Sequence, residues 1–157
     1  MTDKDFMLIA LEQAALSAAE TEVPVGAVIT RNGEVVSTGR NRREAGKNAL
    51  AHAEIEAIDK ACKALGGWRL WECEMYVTLE PCPMCTGAII NSRIRRLVYG
   101  AADPKSGSCG SVINLFDLPY NHKPEVVSGF MQEECSAVLK KFFSELRESK
   151  AEKENES

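Results

Sequence analysis

Residues 75–101 read MYVTLEPCPMCTGAIINSRIRRLVYGA, and the order of patterns within them sets the architecture. Met75 to Leu79 is a short apolar run with a β-branched centre, which predicts a buried strand. Pro83 to Ser92 predicts a helix with proline in its first turn, where a missing N–H leaves no bond unmade. IRRLVYGA at 94–101 predicts a second strand. Strand, helix and strand in succession imply a parallel crossover, the unit of α/β folds.

On the N-terminal side, residues 3–21 predict a helix. Phe6, Ile9, Ala10, Gln13, Ala14, Leu16 and Ser17 follow the helical period, Asp3 or Thr2 can cap the start, and Pro24 ends it. VGAVIT and EVVSTGR are β-branched runs separated by Arg31, Asn32 and Gly33, and an Asn-Gly pair supplies the positive φ of a tight hairpin. From about Ala51 to Leu65, apolar residues recur every three or four positions until Gly66-Gly67 stops the helix. Residues 101–124 are rich in Gly, Ser, Pro and Asn and predict a long connection with one helical turn around Val112 to Phe116, the sort of loop that often carries function. Glu133 to Glu145 predicts a last helix. A single domain over 1–147 is expected, with 148–157 as a charged, disordered tail.

The 157 residues, 45% of them hydrophobic, suffice for one sizeable core. No apolar run is long enough to span a bilayer and the start lacks a basic segment with a cleavage site, so a cytoplasmic enzyme is the expectation. Six cysteines are read as reduced thiols or metal ligands, because a core of this size needs no disulfide staples. A net charge of -4 argues against whole-surface nucleic-acid binding. Three local basic clusters remain: Arg40, Arg42, Arg43 and Lys47; Arg93, Arg95 and Arg96; Lys140, Lys141 and Arg147. Each is either a binding face or an ordinary solvated surface.

The chemistry concentrates in His52-Ala53-Glu54 and in Pro81-Cys82-Pro83-Met84-Cys85. Zinc favours imidazole and thiolate ligands in a tetrahedron, and a catalytic site keeps one position open. His52, Cys82 and Cys85 supply three ligands and leave that position. Cysteines three apart in a helix's first turn share one side of it, and the positive helix end favours thiolates. Residues two apart on a helix point about 200° apart, so His52 and Glu54 converge only if His52 sits at or just before the first turn. Glu54 is assigned to proton transfer, since a fourth protein ligand would close the metal's coordination sphere. A redox Cys-x-x-Cys and a structural four-ligand zinc using His122 or another cysteine are the competing readings. The pairing of His-x-Glu with a downstream Pro-Cys-x-x-Cys is the more specific signal.

On these motifs the chain resembles the cytidine and deoxycytidylate deaminase superfamily, and within it the branch that deaminates tRNA adenosine. The likeness runs from Glu22-Val23-Pro24-Val25-Gly26 through Ala51-His52-Ala53-Glu54 and Thr78-Leu79-Glu80-Pro81-Cys82 to Glu134-Cys135-Ser136 and Phe142-Phe143. It is narrowed by Gly87 to Ile94, by Tyr99-Gly100-Ala101 with Asp103, Lys105, Ser106 and Gly107, by Gly110-Ser111, and by Asn121-His122. The resemblance implies a three-layer α/β/α fold with a central mixed five-stranded sheet, a homodimer, one zinc ion per subunit, and conversion of the wobble adenosine of a tRNA anticodon loop to inosine. It matches His52, Cys82 and Cys85 to the zinc ligands and Glu54 to the acid/base. It places Asn41 against the bound base, backbone amides near Ala53 at the purine edge, and Pro24, Val25, Gly26, Asp103 and Lys105 around the nucleotide. Phe143 and Arg147 match the segment that meets the anticodon loop; of Phe142 and Phe143, at most one is expected to stack on a base.

An adenine within a duplex cannot present C6 to a buried metal, whereas an anticodon loop offers unstacked bases at little cost. The alternatives are a deaminase of free guanine, cytosine or deoxycytidylate, and an inactive zinc-binding module. Cys62, Cys73, Cys109 and Cys135 are taken as small buried hydrophobes.

Overall fold

The computed structural model describes residues 1–156. Its first helix, α1 (Asp3–Ala19), begins with a capping box in which the Thr2 hydroxyl accepts the Asp5 amide while the Thr2 amide donates to the Asp5 carboxylate. The helix ends two residues before the sequence pattern suggested, because Thr21 adopts a left-handed conformation (φ 61°) that turns the chain toward Pro24. β1 (Gly26–Arg31) and β2 (Glu34–Arg40) pair antiparallel, joined by Asn32 and Gly33 at φ 51° and 76°. Both turn residues are left-handed, matching the strand twist of a tight hairpin.

α2 (Ala53–Leu65) follows, closed by left-handed Gly66. β3 (Cys73–Leu79), α3 (Pro83–Ser92) and β4 (Arg96–Ala101) form the expected parallel crossover. The long connection holds a 3-10 turn at Leu115–Asp117, capped by Asn114, and returns as β5 (Glu125–Val127) beside β4. The sheet order is β2-β1-β3-β4-β5, with β1 antiparallel to β3 and β3, β4 and β5 parallel.

Alternation along the strands feeds two cores. Ala27, Ile29, Met75, Val77 and Leu97 face α2 and α3, where Ala53, Ala57, Ala61 and Ile89 meet them. Val28, Tyr76 and Val98 face the other way, against Phe6, Met7 and Ala10 of α1 and Cys135 of the last helix, α4 (Gln132–Glu156). The result is the three-layer α/β/α sandwich with a mixed five-stranded sheet.

The tail departs from expectation. α4 does not stop near residue 145 but continues through the segment read as disordered, 148–157, as far as Glu156, the last described residue. Residues 148–155 are exposed all round, so packing does not hold this stretch helical. Its Glu, Lys and Ala residues are strong helix formers, and local propensity continues what the packed turns begin.

α2 lies close to the sheet because β2 has glycine where the two cross. A Cβ on Gly39 would collide with the Ala53 carbonyl oxygen and the Ala57 amide nitrogen. Side chains of α2 also close the outer edge of β2: Lys60 donates to the Thr38 carbonyl (2.8 Å), and the Arg40 amide donates to Glu56 (2.9 Å). Gly39→Ala should therefore push the start of α2 off the sheet. The expected cost is about 3 kcal/mol or more, read as a fall in Tm of roughly 6–12 °C, accompanied by weaker metal retention in the same variant.

Candidate metal centre and active site

The site forms where two helices begin at the carboxyl end of β3, the usual ligand position in α/β sheets. His52 precedes α2 in extended conformation (φ -87°, ψ 151°), so its ring is not carried round by the helical turn that places Glu54. Cys82 precedes α3 in the same manner (φ -74°, ψ 176°), Pro83 starts that helix, and Cys85 completes its first turn. The His52 Nδ1 atom lies 3.6 Å from Sγ of Cys82 and 3.6 Å from Sγ of Cys85. All three ligand atoms fall within 4.8 Å of one another. Zinc bonds of about 2.0 Å to nitrogen and about 2.3 Å to sulfur, at tetrahedral angles, separate N from S by about 3.5 Å. The donor set and its spacing thus fit one zinc ion.

The two sulfurs compete for one proton. Hydrogen bonding from Cys85 and from His52 brings the Cys82 thiol down to about 4, against the cost of burial. Cys85, sharing that proton with Cys82 and fully buried, is pushed up. His52 is raised by its hydrogen bond to Cys82. A divalent cation would displace the shared proton, since a coordinating thiol is deprotonated outright. Glu54 is 4% exposed, and burial pushes its carboxyl up to about 7. A carboxyl poised there can both accept and return a proton at neutral pH.

A cavity of about 170 Å³ opens above these groups. Its lining joins His52, Glu54 and Cys82 to Val23, Val25, Asn41 and Arg43 from the chain before α2 and to Leu79, Glu80, Asp103 and Ser106 from β3 onward. Asn41 is held by its backbone: its amide donates to the Val25 carbonyl (3.2 Å) and its carbonyl accepts the Ser17 hydroxyl (2.9 Å). Ala53, the first residue of α2, has an amide with no acceptor within the helix. Pro24 is buried and does not line the cavity. Gly26 lies under α1, where a Cβ would collide with the Ala10 carbonyl. Its missing side chain serves helix packing. Asp103 reaches the cavity, and its carboxylate accepts the amides of Lys105 (3.0 Å) and Ser106 (3.2 Å), shaping the turn.

The mouth continues into a groove of about 490 Å³ that keeps Val23, Arg43, Leu79 and Asp103 and adds Lys105 and Phe143. Lys105 and Phe143 also border a further hollow with Lys140 and Arg147. Phe143 is 41% exposed whereas Phe142 is buried. Residues expected around the nucleotide and residues expected at the anticodon loop therefore share one continuous surface.

A family model described as the cytidine and deoxycytidylate deaminase zinc-binding region matches residues 1–101. The chain belongs to this deaminase family. A curated relative from Bacillus subtilis (strain 168), named tRNA-specific adenosine deaminase, is 48% identical over 149 residues, covering 94% of this chain and 92% of that protein. A solved structure from studies of A-to-I editing by tRNA:A34 deaminases at the wobble position of transfer RNA superposes with a TM-score of 0.84. It is 44% identical and covers 87% of this chain and 99% of that one. A guanine deaminase from Nitrosomonas europaea superposes with a TM-score of 0.77 at 26% identity, covering 87% of this chain and 82% of that one.

Two glutamates of this deaminase hold loops beside the site without belonging to its chemistry. Glu22 is buried and accepts the amides of Glu44 (2.9 Å) and Ala45 (2.8 Å), fixing the loop that carries Arg43. Glu80 is buried and accepts three amides from residues 103–111. Burial pushes its carboxyl up, but the Ser111 hydroxyl and those amides outweigh it and hold the group below its ordinary value. The only sequence sign was a carboxylate one or two places before a proline, Glu22-Val23-Pro24 and Glu80-Pro81.

Other candidates turn out to be structural. The His122 ring sits 2.6 Å from the Ile94 carbonyl, and the metal-ligand cluster found among the described residues does not include it. Burial pushes up the thiols of Cys62, Cys73, Cys109 and Cys135, and all six cysteines are free. Arg40 and Arg42 pair with Glu20 and Glu56, while Arg95 and Arg96 pair with Glu74. Metal analysis separates ligand from bystander cysteines. His52→Ala and Cys82→Ala should lose zinc, whereas Cys62→Ala should keep the wild-type content and lose at most about 1 kcal/mol of stability.

Proposed function

We propose that this chain is a zinc-dependent deaminase that converts the wobble adenosine of a tRNA anticodon loop to inosine, with release of ammonia. One observation carries the reading. A metal-ligand triad and a buried carboxylate floor a narrow cavity, and the mouth of that cavity runs into a groove bearing an exposed aromatic and several cations. The names of the relatives at 44–48% identity support the substrate.

His52, Cys82 and Cys85 would hold one zinc ion per subunit, and the metal would supply a water acidic enough to ionise near neutrality. Glu54 takes one proton from the water that adds to C6 and passes it to the ring nitrogen, then carries the remaining hydroxyl proton to the amine as the C–N bond breaks and ammonia leaves. Asn41 faces the base, and the Ala53 amide meets the purine edge. Val25 packs on the nucleotide, with Pro24 and Gly26 shaping the turn behind it, and the Asp103 to Ser106 turn closes the other side. Phe143 stacks on a neighbouring base while Arg43, Lys105 and Arg147 meet phosphates. The same reading carries a cytoplasmic homodimer, in which a second copy covers apolar surface such as exposed Trp68 and Trp71. No helix among the described residues is long and apolar enough to cross a membrane.

Deamination of free guanine is the second reading, favoured by the Nitrosomonas europaea structure. A free base has no use for Phe143 or for the groove beyond the cavity. The deciding assay incubates the zinc-loaded protein with an anticodon stem-loop carrying adenosine at the wobble position, with guanine, and with cytosine, and measures inosine and ammonia. Inosine in the stem-loop is expected; turnover of guanine or cytosine with an unmodified stem-loop would overturn the assignment. Glu54→Ala should keep its zinc and lose at least about 10²-fold in kcat.

The groove makes a separate prediction. Phe143→Ala should raise KM for the stem-loop about tenfold, as expected for one lost base stack. With three phosphate contacts, raising salt from about 50 to about 200 mM should weaken stem-loop binding about 20- to 40-fold. Initial rates against stem-loop concentration measure the first, and a binding titration followed by fluorescence anisotropy measures the second.

A further inference from the structure

Glu80 takes no part in the chemistry above, yet it is a charged side chain only 2% exposed at the edge of the reaction cavity. Its carboxylate accepts the amides of Asp103 (3.1 Å), Cys109 (3.0 Å) and Ser111 (3.1 Å), together with the Ser111 hydroxyl. An ionised carboxylate offers about four lone-pair sites, and these four donors, all from 103–111, match them. The residue is held from behind as well. Its own amide donates to the Ala101 carbonyl (2.8 Å), and the next residue, Pro81, accepts the Ser108 amide (2.9 Å). Gly107 runs so close that a Cβ there would collide with the Glu80 carboxylate.

The segment clamped in this way is folded on itself by turn bonds at its start, where Asp103 accepts the amides of Lys105, Ser106 and Gly107, but it belongs to no strand of the sheet. Its regular pairing is one isolated bridge, Cys109 to Asn114, and it presents Asp103 and Ser106 to the cavity. The clamping residue lies two positions before Cys82, on the chain that leads into the metal triad. We infer that Glu80 is a positioning residue that fixes the 103–111 wall at a set distance from the metal triad, and so governs how tightly the base is held rather than whether the metal is held. The effect on substrate rests on the deaminase reading of the site; the clamp itself does not.

Charge and shape both matter here. In Glu80→Gln the outline is kept, but one oxygen becomes an NH₂ group facing N–H donors. The 103–111 amides then lose charge-assisted hydrogen bonds, a loss corresponding to roughly ten- to a hundredfold in an equilibrium. Ser111→Ala removes one donor and leaves the carboxylate in place, so it tests the clamp even if Glu80→Gln folds poorly.

The experiment compares full-length, zinc-loaded wild type, Glu80→Gln and Ser111→Ala in three measurements: zinc per chain, amide hydrogen exchange, and kcat and KM on the stem-loop, guanine and cytosine. Zinc content should match wild type in both variants. In Glu80→Gln the amides of Asp103, Cys109 and Ser111 should exchange faster, while those of Glu44 and Ala45, held by Glu22, stay unchanged. KM should rise about ten- to a hundredfold in Glu80→Gln and a few-fold in Ser111→Ala, with kcat falling less. Zinc lost in step with activity, unchanged exchange of the three amides, or a loss confined to kcat would each overturn the inference. If the wild type turns over none of the three substrates, the deaminase reading fails, and exchange and zinc content still decide the clamp.

Discussion

Two side chains separated by one residue must face the same point, and the whole site depends on how the backbone allows this. A helix would send His52 and Glu54 to nearly opposite sides. The chain solves the problem by starting the helix between them, so that His52 is still extended and Glu54 is already helical. Cys82 repeats the device at α3, with Pro83 fixing where that helix starts. Both beginnings are brought to one place by the parallel crossover on one side and by the close approach of α2 to Gly39 on the other. Fold and site are thus a single construction: the boundaries of two helices are also the coordinates of the ligand atoms.

Around that centre, charged residues divide into two classes by what they face. Arg40, Arg42, Arg95 and Arg96 are spent on carboxylates of the same chain. Arg43, Lys105, Lys140 and Arg147 line the groove that leads from the cavity. An acidic chain can therefore present a basic path to a polyanion, because local field and net charge are different quantities. Glu22 and Glu80 show a third use, in which a buried carboxylate meets backbone amides and ties loops outside the sheet to the strands beneath them.

Most of the architecture was legible from local patterns, for physical reasons. Asn32-Gly33 announces a hairpin because few other pairs tolerate two left-handed residues, and Gly66 ends α2 on the same ground. The convergence of His52, Cys82 and Cys85 could be anticipated because zinc restricts donor type and the helix restricts spacing. β5 was less visible: three residues are too few to show alternation, and only the resemblance required a fifth strand. The end of α4 leaves no mark in the hydrophobic pattern, because Glu, Lys and Ala favour a helix even without a packing partner. Asp103 before Pro104 reads as a turn former as well as a cavity residue, whereas the packing role of Gly26 and the loop-holding roles of Glu22 and Glu80 were not legible. Each of these depends on a neighbour distant in sequence, which no periodicity encodes.

The outer rim of the sheet bears on how the protein behaves when crowded. An unpaired strand invites addition of another chain's backbone, which is a route to aggregation. Here Lys60 and Glu56 already occupy the outward carbonyl of Thr38 and amide of Arg40, and the opposite rim is only three residues long. Ribbon-like growth through either flank is blunted, so the ends of this sheet make poor templates for another chain's backbone.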